Sequence, residues 1–160
     1  MSRDVCIIGI GNEYRNDDGV GLLVAHRIKE LCLPGVRVIG PSDQGGDLLS
    51  ALTSADSVFL VDSVSSGSLS GTIHRIDVSH QTLPAGFSCH STHAFGVAES
   101  LELARILGML PKNCVLFGIE GTDFEMGTSL SPAVEQAAEE VIAMIGSEIN
   151  SVIFTAVPEI

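Results

Sequence analysis

Four short aliphatic runs, VCIIGI (5–10), VRVIG (36–40), SVFLVD (57–62) and NCVLFGIE (113–120), alternate with longer amphipathic segments. A continuous apolar run between turn residues, as in VCIIGI, reads as a buried strand, and the other three runs read as further strands of the same sheet. Strands that alternate with helical segments pack as α/β with a parallel sheet. TIHRIDV (72–78) instead alternates apolar and polar residues, the mark of a strand with one wet face, placed antiparallel at an edge. The expected architecture is therefore a single three-layer α/β/α domain. Its twisted sheet is mostly parallel, with about five strands and one antiparallel edge strand. With no Trp and only 4% aromatic residues, the core must be built from Val, Ile, Leu and Ala.

The intervening segments supply the helices. One is expected from Asp17 or Asp18 to about Leu31, with Val20, Leu23, Val24, Ile28 and Leu31 on its apolar stripe. A short helix is expected within 45–55, and another from His93 to about Gly108. The last runs to about Ile149, with Ser131 as N-cap and Pro132 at the first helical position. Residues 1–150 form the domain and 151–160 a tail, while 79–92 make a long loop of the kind that usually carries function.

Composition narrows the function classes. A formal net charge of −12, with eight scattered basic residues, opposes contact with nucleic-acid phosphates or an anionic membrane surface. The start of the chain, MSRDVCIIGIG, lacks a signal-peptide layout, and no stretch has the ~18 apolar residues of a membrane span. A cytoplasmic monomer is the expectation. The four cysteines show no CxxC spacing; Cys6 and Cys114 fall in strands as small buried residues, and no disulfide framework is expected.

Three positions stand where strands end or helices begin: Asp18 in GIGNEYRNDDGVG (9–21), Asp62 closing SVFLVD, and His93 in CHSTHAFG (89–96). Loops at the carboxyl ends of strands converge on one crevice in an open α/β sheet. Two carboxylates and an imidazole suit a divalent transition ion. Asp17 is assigned to capping the first helix and Asp18 to the crevice. The Gly9-Ile10-Gly11 turn imitates a dinucleotide fingerprint, but Tyr14 stands where the third glycine is needed, and Asp17 and Asp18 would repel a pyrophosphate. No nucleotide is expected. His90 and His93 beside Cys89 match no standard zinc spacing. His26, His74 and His80 read as surface residues, the first and last without an acidic partner, and no G-x-S-x-G elbow offers a serine nucleophile.

Together these pieces resemble the nickel–iron hydrogenase maturation endopeptidases, from Val5 to about Ile149. GIGNEYRNDDGVG matches that family's opening signature, and LVDSVSSGSLSGTIHRID (60–77) its strand–Asp–loop–strand segment. SCHSTHAFGVAESLELARILGMLP (88–111) looks like its His-bearing helix, and VLFGIEGTDFEMGTSLSPAVEQA (115–137) like its closing strand, G-I-E turn and L-S-P helix. The resemblance implies a peptidase that trims a C-terminal extension from a hydrogenase large-subunit precursor. It also implies metal ligation and catalysis at Asp18, Asp62 and His93, with nickel brought by the precursor. A non-catalytic metal-sensing chaperone of the precursor, or a related α/β peptidase with another protein substrate, are the alternatives.

Overall fold

The computed structural model of the chain describes residues 4–40, 48–84, 87–89 and 96–154. Its strands are β1 (Val5–Gly9), β2 (Val36–Ile39), β3 (Ser57–Ser65), β4 (Ile73–Asp77), β5 (Ser88–Cys89) and β6 (Asn113–Glu120). Its helices are α1 (Val20–Glu30), α2 (Leu48–Leu52), α3 (Val97–Ile106) and α4 (Pro132–Phe154). Five strands lie in the order β2-β1-β3-β6-β4, and the two-residue β5 pairs with the end of β3. The first four of these are mutually parallel, and β4 is the antiparallel edge. The expected α/β/α architecture holds.

Alternate strand residues feed two cores. Val5, Ile7, Phe59, Val61, Phe117 and Ile119 pack under α1 and α4, while Cys6, Ile8, Val58, Leu60 and Leu116 pack against α2 and α3. In α4 the buried residues Val134, Ala138, Val141, Ile145 and Ile149 recur at helical spacing along one stripe. Each buried Val or Ile contributes about 1.5–3 kcal/mol. This helix passes the expected stop at Ile149 and runs to Phe154, because SEINSVIF contains no Gly or Pro to end it. Val152 on this added turn joins the α1/α4 core.

Chain order dictates where loops diverge. The connection through α1 carries the chain from β1 to β2 on one side. The later connection through α3 carries it from β3 to β6 on the other, and α1 and α3 cover opposite faces. The carboxyl ends of β1 and β3 thus flank a topological switch point, where open α/β sheets hold their ligands. Among the described residues, no helix is long and apolar enough to cross a membrane. Cys6, Cys32 and Cys114 are free thiols.

Candidate metal and catalytic site

The first expected helix does not begin at Asp17 or Asp18. A 3-10 turn spans Asn16–Gly19, and α1 starts at Val20 with no side-chain cap. The turn brings Asp18 back against Gly11, in the loop that follows the first strand. Gly11, at φ +138, lies so close to the Asp18 carbonyl that an added Cβ would sit 1.9 Å from it. At Gly21 an added Cβ would meet the Val61 carbonyl oxygen at 2.3 Å and that of Ile10 at 2.5 Å. Gly21 therefore serves close helix–strand approach, and Gly11 the return of the turn onto the chain.

That approach sets Asp18 beside the end of β3. Its Oδ1 accepts the Ser63 hydroxyl at 2.7 Å and its Oδ2 the Asn12 amide at 3.0 Å. Asp62 is fully buried, and its Oδ1 accepts the Ser63 amide at 2.8 Å. One serine thus holds both carboxylates, by its hydroxyl and its amide. Asp62 Oδ2 has no partner; among the described residues it shares that state only with Ser70 Oγ. Burial, then the negative charge of Asp18, pushes the Asp62 carboxyl well above the usual range, offset in part by the Ser63 amide. An unpaired buried acceptor beside a second carboxylate is costly unless something cationic or protic satisfies it.

Asp17 does something other than cap its own helix. Its carboxylate accepts the amides of Thr122 (2.9 Å), Asp123 (2.9 Å) and Ser131 (2.7 Å) and the Ser131 hydroxyl (2.8 Å). Burial alone would raise its pKa, but these donors more than offset that and hold the carboxyl below its ordinary value. The sequence-based cap assignment fails because the second loop offers more donors than the helix start. Ser131 does precede Pro132, and its carbonyl accepts the Glu135 amide at 2.9 Å as an N-cap carbonyl does. Its hydroxyl, however, is bonded to Asp17.

A second polar cluster forms at the end of β6. Glu120, 2% exposed, accepts the amide of Ser66 at 2.9 Å, the Ser66 hydroxyl, and His74 Nε2 at 3.3 Å. His74 also meets the Phe87 ring edge-on, with centroids 5.3 Å apart. His74 is thus a partly buried partner of a carboxylate. The signal was in TIHRIDV: a period of two puts His74 on the face of Ile76 and Val78, both buried. His26 and His80 are surface residues as expected, but both do have acidic partners, Glu30 at 3.0 Å and Asp77 at 2.9 Å. In each case helical or turn spacing supplies the carboxylate.

His93 and His90 lie outside the described residues. Among those described, no group of three or more His, Cys, Asp and Glu side chains comes together in a metal-holding arrangement. Of the three expected ligands, the structure brings Asp18 and Asp62 together.

The chain is thus a doubly covered α/β domain with two serine-bridged carboxylates at the switch point of its sheet, the place where open α/β sheets hold ligands. Residues 23–148 match the profile of the hydrogenase maturation protease family, and the chain belongs to that family. It is 30% identical, over 92% of its length and 71% of the relative's, to the hydrogenase expression/formation protein HupD of Rhodobacter capsulatus. It is 27% identical to HupD of Thiocapsa roseopersicina, covering 88% of this chain and spanning 65% of that protein. Its fold is that of the hydrogenase-maturating endopeptidase HybD from E. coli, with a TM-score of 0.75, 21% identity and 93% of each chain covered.

Proposed function

We propose that the chain hydrolyses a peptide bond near the C-terminus of a nickel–iron hydrogenase large-subunit precursor, after nickel insertion, and reads that nickel through Asp18, Asp62 and His93. The observation that carries the reading is the unpaired, buried Oδ2 of Asp62 beside Asp18. A dication shared between the carboxylates satisfies that oxygen and cancels their repulsion, and nickel(II) accepts carboxylate and imidazole donors well. Ser63 orients both carboxylates for the task. Here the ion is part of the substrate, so an unloaded precursor lacks the atom that completes the site. Because Asp62 has no exposed surface, the incoming ion must displace what covers it and is desolvated as it binds.

Two routes to hydrolysis are open to these residues. Nickel can polarise the scissile carbonyl or lower the pKa of a water. Alternatively, one carboxylate takes the proton from the attacking water as general base. Either way the bond is cut directly by water, with no nucleotide and no covalent intermediate. The reaction is assigned to the cytoplasm, in keeping with the free thiols of Cys6, Cys32 and Cys114.

The test is intact-mass measurement of nickel-loaded and nickel-free precursor before and after incubation with the protein. A loss equal to a C-terminal peptide, from the loaded form alone, is expected. Unchanged mass despite stable binding would make the chain a holding protein and remove the peptidase reading. Asp18→Asn, Asp62→Asn and His93→Ala should each lower processing by at least ~100-fold, the scale on which an essential acid–base or ligand group contributes. His90→Ala should be far milder.

A further inference from the structure

The Asp17-centred bonding leaves the two loops beside the carboxylates locked side by side. Asn16 N donates to Gly127 O at 2.9 Å, Gly127 N to Tyr14 O at 2.8 Å, and Asp17 N to Asp123 O at 2.9 Å. The Asn16 side chain accepts the Ser129 amide at 3.1 Å, and Arg15 and Gly127 form a β-bridge. From this braced pair two large apolar side chains stand in solvent, Tyr14 at 61% and Met126 at 85% exposure. Exposed Glu13, Arg15, Asp123 and Glu125 surround them, three acidic groups against one basic. An open groove of about 750 Å³ begins at the same loops, at Glu13 and Asn16, and passes Leu22, Leu23 and Leu130 to Glu135.

Single exposed apolar residues are ordinary. These two differ in being carried on backbone fixed by hydrogen bonds, so holding them against a partner costs little further ordering. Tyr14 is also carried by the loop that contains Asp18, and Met126 by the loop bonded to it. Aromatic and methionine side chains are the types enriched at interface centres, with charged groups at the rim.

We propose that Tyr14 and Met126, with the acidic flank of Glu13 and Glu125, form the docking surface for the folded body of the substrate protein, and that the matching surface is apolar at its centre and lined by Lys and Arg. The net charge of −12 supports a basic counterpart, since complementary charge steers encounter and suppresses wrong partners. This rests on the peptidase reading above for the identity of the partner. It deepens it by separating recognition of the precursor's body from recognition of its metal.

The test uses the full chain and the nickel-loaded large-subunit precursor, with binding and processing measured separately. Tyr14→Ser combined with Met126→Ser should weaken binding at least ~10-fold and raise KM similarly, with kcat within twofold and the melting midpoint unchanged. Glu13→Lys with Glu125→Lys should also weaken binding and flatten its salt dependence. Ile106→Ser, which alters an equally exposed apolar residue on α3, should change neither. Binding retained by the Tyr14/Met126 variant, or no binding by the unaltered chain, overturns the docking surface. A fall in self-association of the variant by sedimentation, with precursor binding intact, assigns the patch to a second copy of this chain and likewise overturns it. Binding by the unaltered chain without trimming removes the peptidase reading alone, and the variant's loss of binding still upholds the surface.

Discussion

At the scale of single residues, the molecule keeps two kinds of buried carboxylate. Asp17 and Glu120 have full sets of donors, whereas Asp62 does not. Satisfied carboxylates stabilise, and an unpaired one next to a like charge costs stability. Asp62→Asn should therefore be neutral to stabilising in thermal melts even as it abolishes processing, the trade expected where function needs a strained site. Glu120 behaves oppositely. Burial alone would raise its carboxyl, but Ser66 and His74 more than offset that and hold it below its usual range. A depressed folded pKa gives stability that is complete above the unfolded value of about 4.3 and is lost as pH falls through the folded one. Glu120→Gln should cost about 2 kcal/mol at pH 7, or ~4–8 °C in melting midpoint. Below about pH 4 the gap to the unaltered protein should narrow. An equal gap at pH 3 and pH 7 would show that the carboxylate charge contributes nothing.

At the scale of elements, tight backbone approaches decide what can change. Gly21→Ala would drive a Cβ into the carbonyls of both Val61 and Ile10, and neither is a side chain that can swing away. A loss of more than ~3 kcal/mol is expected, seen as poor soluble yield and a much lower urea midpoint. Asp17→Ala should remove about 3 kcal/mol by leaving the Thr122, Asp123 and Ser131 amides without their acceptor. Amide exchange should then quicken in 121–131 and not in β6. Much of this element layer was legible in sequence. Strand positions, the antiparallel edge and the α4 stripe follow from periodicity, which the chain obeys because both faces of the sheet are covered. What periodicity could not tell was pairing over long separations. Nothing near Asp17 in the chain announces that its partners are residues 122, 123 and 131, or that Glu120 closes on Ser66 and His74. Asp18 and Asp62 could be placed because strand ends converge by topology, whereas Ser63, the group that binds them together, offered no signal beyond its adjacency to Asp62.

At the scale of the whole molecule, twenty acidic residues against eight basic ones make self-repulsion a general load on the folded state. Salt screens it, with a Debye length near ~10 Å at 0.1 M. Raising sodium chloride from low to moderate concentration should lift the melting midpoint by ~2–4 °C, equivalent to about 1 kcal/mol. No lift in calorimetry would mean that the twelve excess acidic groups lie too far apart to repel one another measurably. The long reach of the Asp17 carboxylate has a temporal consequence as well. Its partner Ser131 lies 114 positions further along the polypeptide. At a translation rate of roughly 5–20 residues per second, the ribosome delivers that partner some ~6–23 s after Asp17 itself. Until then the segment bearing Asp18 is held by Ser63 and Asn12 without the Asp17 brace, so a nascent or prematurely terminated chain carries its acidic pair less firmly set until residue 131 has been made.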